Sequence, residues 1–302
     1  MAVLSNQAGI NLTISKLQLI EISWDENEIV LENADEEFLS GYIDKNMKEP
    51  ELVPIIQNAY NQIIKRRPLI AKNVSFTLPT QLFEFVELPI DDLLTKEDLA
   101  DHLNWEFSVL FPHKDPSDLL LRYFEIGSYD YLNTKKILTA AIEKRILGSI
   151  HKFCVNNNLT LRFVDNVHFA ANLLISPNYF SENYLSIYSD DDFYTLMIFE
   201  KGKPKFFKSF EDQDLNSVIA KIHADVQKYA AGHGVKFSKI FLSGESVSEH
   251  AVMIIDDHFK LEIHKINPFV NLKTSANVFK KDLINNKSHS FTAPVGIAAR
   301  IS

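Results

Sequence analysis

Asp190, Asp191 and Asp192 are three consecutive carboxylates, a run that can either collect a hydrated cation or form the polar turn of a hairpin. Apolar strand patterns at 185–188 and 193–199 flank the run and favour the turn. His250, His258 and His264 lie among Glu249, Asp256 and Asp257, but their intervals match no zinc-ligand spacing. Ser243, Gly244, Glu245 and Ser246 lack the Gly-x-Ser-x-Gly turn that exposes a nucleophilic serine, so a structural role is expected. Asp91 and Asp92 precede a helix start at Thr95 and read as solvated turn residues, not as an acid–base pair placed around a bond. The single cysteine, Cys154, falls in the apolar pattern of a helix and reads as a buried structural thiol; with no second cysteine there is no internal disulfide.

Of the 302 residues, 46% are hydrophobic and 24% charged, a balance that supports a folded chain of one large domain or two ordinary ones. The net charge of -9 opposes a general nucleic-acid surface, which needs a basic field. Lys65, Arg66 and Arg67 are read instead as the cationic end of an amphipathic helix, where positive charge meets the helix dipole favourably. No stretch reaches the roughly eighteen apolar residues of a membrane span, and the N-terminus lacks a basic region followed by a long apolar run. A cytoplasmic protein with no direct membrane span is expected.

Hydrophobic periodicity supplies the elements that would position these residues. Ile10, Leu12 and Ile14 alternate with polar neighbours, and 17–22 and 29–31 extend them into an opening hairpin unit. Leu52, Ile55, Ile56, Ala59 and Ile63 mark a helix, and 74–78 a strand. Strands at 83–88, 119–126 and 137–142 surround a helix capped by Thr95 with Asp98 and carrying Leu99, Leu103 and Phe107. A helix over 143–156, a strand at 159–164 and a short helix at 166–174 follow. From 185 the order begins again: strands at 185–188, 193–199 and 205–210, a helix through Leu215, Val218, Ile219, Ile222, Val226 and Tyr229, and a core strand at 239–242. Two hairpin-led halves predict a duplicated α/β architecture, although no exact sequence repeat is present. The tail from Pro294 reads as a short packed helix.

Several short motifs lie along this frame in order: Ser-Phe-Thr-Leu-Pro at 75–79, Glu-Leu-Pro-Ile-Asp-Asp at 87–92, Leu-Asn-Trp-Glu at 103–106 and Phe-Pro at 111–112. Leu-Thr-Ala-Ala-Ile-Glu-Lys at 138–144, Ile-Phe-Leu-Ser-Gly at 240–244, Asn-Pro-Phe at 267–269 and Ala-Pro-Val-Gly-Ile-Ala at 293–298 complete the series. No one motif is specific, but their order and spacing resemble the actin-like cytoplasmic protein family of type IV pilus assembly across nearly the whole chain. The resemblance extends more distantly to the actin-like divisome protein and to type II secretion scaffolds. It implies an actin-like ATPase (ribonuclease H-like) α/β fold of two related domains around a nucleotide cleft. Domain I would span 1–182 with an inserted α/β subdomain at 79–155. Domain II would span 183–302, with 291–302 a C-terminal packing segment.

In that family the first phosphate hairpin carries an Asp, which organises hydrated magnesium, and glycines, which let the backbone approach phosphate oxygens. Here Asn11 matches the Asp and Thr13 a Gly. The second hairpin has Ser186 at the acidic position and Tyr188 at the glycine position. The nucleoside-side loop keeps Gly244 but has Glu245 where another Gly is usual. Together these departures imply a pseudo-ATPase scaffold with no catalytic activity, no cofactor and no metal. The alternative is a divergent actin-like ATPase that still binds ATP and magnesium. The resemblance also implies recruitment to the inner membrane by the cytoplasmic tail of a single-span assembly protein. Phe83, Phe85, Leu88, Pro89, Leu103 and Phe107 are the candidates to line its groove, to the extent that the subdomain core does not consume them.

Overall fold

Gln7–Leu12 (β1), Lys16–Asp25 (β2) and Glu28–Phe38 (β3) form an antiparallel meander. The computed structural model describes residues 6–25, 28–91, 93–129, 134–175, 179, 181–275, 278 and 281–300; Asp92 and the last two residues of the 291–302 segment lie outside them. Alternation sends Ile10, Leu12, Leu17 and Leu19 to one face of the meander, and Ile20 and Ile22 to the other. Both faces are covered. Glu49–Arg66 (α1) lays Leu52, Ile56, Ala59, Tyr60 and Ile63 on the first, and Asn73–Leu78 (β4) then pairs parallel to β1.

Phe83–Asp91 (β5), Lys96–Leu110 (α2), Leu119–Tyr129 (β6) and Thr134–Glu143 (β7) make a separate three-stranded sheet, ordered β5-β7-β6, with α2 on one face. Thr95 caps α2, its hydroxyl accepting from the Asp98 amide. The insertion expected at 79–155 stops short of its last helix. Lys144–Asn156 (α3) turns Ile146, Ile150, Phe153 and Cys154 into the first unit's core, where Phe153 meets Tyr60 edge-on at 5.1 Å. Periodicity gives such a helix its apolar stripe but does not say which sheet receives it. Cys154 is buried, and burial pushes its thiol up to about 12, as a structural role requires. Thr160–Asn166 (β8) closes the unit, pairing parallel with β4, and Val167–Asn172 (α4) follows.

Tyr184–Asp190 (β9), Phe193–Glu200 (β10) and Lys203–Glu211 (β11) repeat the meander. Leu215–His233 (α5), Lys239–Gly244 (β12), Glu249–Phe259 (α6) and Glu262–Lys265 (β13) repeat the helix–strand–helix–strand return. The sheet orders correspond: β3-β2-β1-β4-β8 in the first unit and β11-β10-β9-β12-β13 in the second, with the insert between β4 and α3. The histidines of the expected metal-free segment go to separate places. His250 and His258 lie on α6, whereas His264 lies on β13 beside Glu262 and stacked on Phe241.

Beyond β13 the chain leaves the second unit, to which 183–302 was assigned. Lys273–Thr274 (β14) pairs with β3, Lys281–Asn286 (α7) packs near it, and Thr292–Ala298 (α8) wedges between α4 and the meander. The packing segment therefore belongs to the first unit. Its destination rests on contacts more than two hundred residues apart in sequence, such as Gly9 with Pro294.

Candidate functional site

The two meanders face each other, and the residues that depart from a nucleotide-binding pattern are committed to contacts within and between them; beside those contacts a pocket of about 900 Å³ stays open, bordered by Lys16 and Phe38 of the first meander and by Asp191 and Ser246 of the second unit. The amide of Asn11 is spent within the protein: Thr77 Oγ1 donates to its Oδ1 (2.8 Å) and its Nδ2 donates to Gln18 Oε1 (2.8 Å). Thr13 stabilises the β1–β2 turn, its Oγ1 accepting from the Lys16 amide at 2.9 Å. Ser186 is buried and bonded to His168 Nε2 (2.9 Å), while Thr195 bonds the other ring nitrogen (2.7 Å). Burial holds His168 neutral, with its pKa lowered to about 3, so the pair is a core polar contact between α4 and the second meander. Tyr188, fully enclosed against the His168 ring at 5.8 Å, occupies volume that a glycine would leave open.

Glu245 bridges the two units. Gly244 holds φ +104°, and a side chain there would meet the Ser189 carbonyl at 2.1 Å, so glycine brings the end of β12 onto β9. The next residue, Glu245, then reaches across to the first meander. Its Oε2 accepts from Lys16 Nζ (2.5 Å) and its Oε1 from Gln18 Nε2 (2.6 Å). Burial lowers the Lys16 pKa, but the bond to Glu245 and the negative charges of Glu245, Glu36 and Asp191 together outweigh it and raise it; burial raises that of Glu245. Thr77, Asn11, Gln18, Glu245 and Lys16 thus form one chain of contacts from the first sheet into the second unit. Asp190 lies beside it, buried, with Glu245 and Asp191 adding negative charge around it. Lys16 and Gln18 were not among the sequence candidates, because only the cross-cleft contact gives them meaning, and Asp190, read as part of a polar turn, instead ends β9 as a buried residue.

The six partner candidates divide by strand parity. Phe83 and Phe85 share one face of the insert sheet with Leu120, Arg122, Ala140 and Ile142, their cross-strand partners in register. Leu88 points to the opposite face, where α2 packs Leu99 and Leu103, and Phe107 packs against Leu119 and Ala141. Leu88, Leu103 and Phe107 are thus subdomain core rather than groove, and Pro89 is exposed outside the groove. The face carrying Phe83 and Phe85 opens on an apolar groove of about 920 Å³. Its other walls are Leu147, Gly148 and His151 of α3, residues 161–166 of β8, and Phe169 of α4. Ala140, between Phe85 and Arg122, and Gly148, whose Cβ position is empty to 4 Å, give the groove its depth. Phe85 also packs its ring, tilted, against Phe207 of β11 (4.3 Å) and stacks on Phe169 (5.8 Å), so the groove floor touches all three units.

No protein-family model matches this sequence, and no curated protein matches it. Solved structures do. The chain superposes with a TM-score of 0.72, at 12% identity over 97% of each chain, on a structure described as the PilM-PilN type IV pilus biogenesis complex. A protein with actin-like ATPase fold and unknown function from Bacteroides thetaiotaomicron gives 0.56, at 12% identity over 99% of this chain and 97% of that one. The cytoplasmic domain of EpsL, an inner membrane component of the type II secretion system of Vibrio cholerae, gives 0.50, at 10% identity over 94% of each. Two meander-led units with matching strand orders, an insert between β4 and α3 and these superpositions together define an actin-like fold.

Proposed function

We propose that this chain is a non-catalytic scaffold of a type IV pilus or related secretion system, and that it binds a cytoplasmic peptide of an inner-membrane assembly protein. The observation that carries the reading is Glu245, whose carboxylate is bonded to Lys16 and Gln18 between the two meanders, where an actin-like fold would otherwise accept phosphates. A protein that supplies its own anion to the cleft does not need nucleotide to hold its domains together. The superpositions on pilus and secretion components supply the setting, and recruitment from the cytoplasm by a membrane partner is consistent with the fact that, among the described residues, no helix is long and apolar enough to cross a membrane.

Millimolar ATP with magnesium should leave the melting temperature unmoved within about 1 °C, because a ligand that binds only the native state would raise it. Saturable heat of ATP binding, or hydrolysis above background, would support the divergent ATPase instead.

The groove is where the peptide belongs in this reading. Fluorescent N-terminal tails of the single-span membrane proteins encoded beside this chain should bind it saturably. Gly148→Phe should weaken that binding by about tenfold or more while the melting temperature holds, since a side chain at 148 enters the groove and not its walls. Tails that bind wild type and Gly148→Phe equally would place the partner elsewhere.

A further inference from the structure

Six successive residues of β8, Leu161 to Asn166, border the groove. Side chains of a strand alternate between its faces, so one space can meet six in a row only by running along the strand's edge. β8 is the last strand of its sheet, pairing with β4 on one side. Among the described residues, no other strand pairs with its outer side. That row of backbone donors and acceptors faces a wall of Phe83, Phe85, Leu120, Phe124 and Ile142 rather than open water. Unpaired edges invite strand addition; β8 holds no proline, and although one extra residue bulges between Leu161 and Val164, which face Val74 and Phe76 of β4, the stretch 164–166 continues in regular register along the edge.

The charges around the groove are one-sided in a chain of net charge -9. Its lining carries three arginines and one carboxylate. Asp165 and Arg300 pair with each other at 2.9 Å, and Arg300 also covers the Phe163 ring at 4.6 Å. Arg122, from the sheet wall, and Arg162, from β8, are exposed and have no carboxylate partner among the described residues; Arg122 donates only to its neighbour's carbonyl, Leu121 O, at 3.1 Å.

We infer that the occupant of this groove is an extended segment added as a strand to the free edge of β8, apolar at alternate positions and carrying a carboxylate side chain that Arg122 and Arg162 select. The inference rests on the groove being the peptide site. It separates a tail that carries an acid among its apolar residues from the mostly basic juxtamembrane segments that face the cytoplasm.

The test uses the full chain and three fluorescein-labelled decapeptides of alternating Leu and Thr, with Glu, Gln or Lys at the centre, followed by anisotropy. The Glu peptide should bind about tenfold more tightly than the Lys peptide. Arg162→Glu, at an exposed position that leaves folding intact, should reverse that order. N-methylation of the Glu peptide should abolish binding at every second amide and spare those between, because only alternate amides of an added strand face β8. Equal binding of the Glu and Lys peptides, both blocked by Gly148→Phe, overturns the carboxylate selection while the groove reading stands. Uniform tolerance of N-methylation overturns strand addition. Binding that Gly148→Phe leaves untouched removes the groove reading and this inference together.

Discussion

Gly296→Val should be among the most damaging single substitutions in this protein, lowering its stability by roughly 3–5 kcal/mol, a large fraction of the total for an ordinary domain. Gly296 lies in α8, every residue of which is buried. A Cβ at 296 would sit 2.1 Å from the Ala170 carbonyl of α4, and on the opposite side of the helix a Cβ at Gly9 of β1 would sit 1.9 Å from the Pro294 carbonyl. Both obstacles are backbone, so no side chain can rotate away. The helix would have to back out, exposing Val295, Ile297 and Ala298, which now contribute to the first unit's core. In urea the midpoint should fall with little change in slope. Gly148→Ala is the control: its Cβ meets nothing, so removing a helical glycine there should be neutral or stabilising by up to about 1 kcal/mol. A wild-type midpoint for Gly296→Val would mean that α8 is not clamped between the Ala170 carbonyl of α4 and the Gly9 backbone of β1.

The clamp also shows which parts of the fold were legible in advance. Hydrophobic period two and period 3.6 gave α1, α2, α3 and α5 within a few residues, because each of those helices buries one continuous stripe, and gave both meanders, although β3 runs seven residues past the 31 at which its apolar run ends. α6 carried a readable signal as well, with Ser248 capping through the Ala251 amide and Ala251, Ile254 and Ile255 on one face. The neighbouring histidines and acids drew attention to metal spacing instead. The destinations of α3 and α8 were not legible, since a stripe records that a residue is buried but not against what. Gly9 illustrates the difference: a glycine in the first hairpin suggests close approach of backbone, and here the approaching group is the Pro294 carbonyl of α8.

At the two candidate sites the sequence was informative about identity and silent about company. Asn11, Ser186, Tyr188 and Glu245 were recognisable as departures from a phosphate-binding pattern, and each is committed to an internal contact. Their partners Gln18, Lys16 and His168 had no motif to announce them, because the contacts join residues 18 to 229 positions apart or close only through the meander turn. The groove candidates contained a signal that strand alternation alone could have resolved. Phe83 and Phe85 share a parity that Leu88 does not, so these three could never have lined one surface.

Asp190→Asn should raise the melting temperature at pH 8 by several degrees, by about a third as much at pH 5, and leave it almost unchanged near pH 3. Asp190 ends β9 with 4% of its surface exposed, and its Oδ2 has no hydrogen-bond partner among the described residues. Burial, then the charges of Glu245 and Asp191, push its carboxyl up to about 7 against the opposing pull of Lys16. An unfolded aspartate titrates near 3.9, so between about pH 4 and pH 7 the folded protein holds a proton that the unfolded chain has lost. Stability from this group therefore falls as pH rises through that window and stays low above it, by at most about 4 kcal/mol before solvent relaxation is allowed for. Glu245, also raised by burial, acts in the same direction, whereas Lys16, raised above 10.5, contributes stability that is lost only at higher pH. Asparagine keeps the shape of the protonated acid at every pH and so removes the penalty only where wild type bears it. A gain of equal size at pH 5 and pH 8, or a loss at both, would show that Asp190 does not titrate in the cleft.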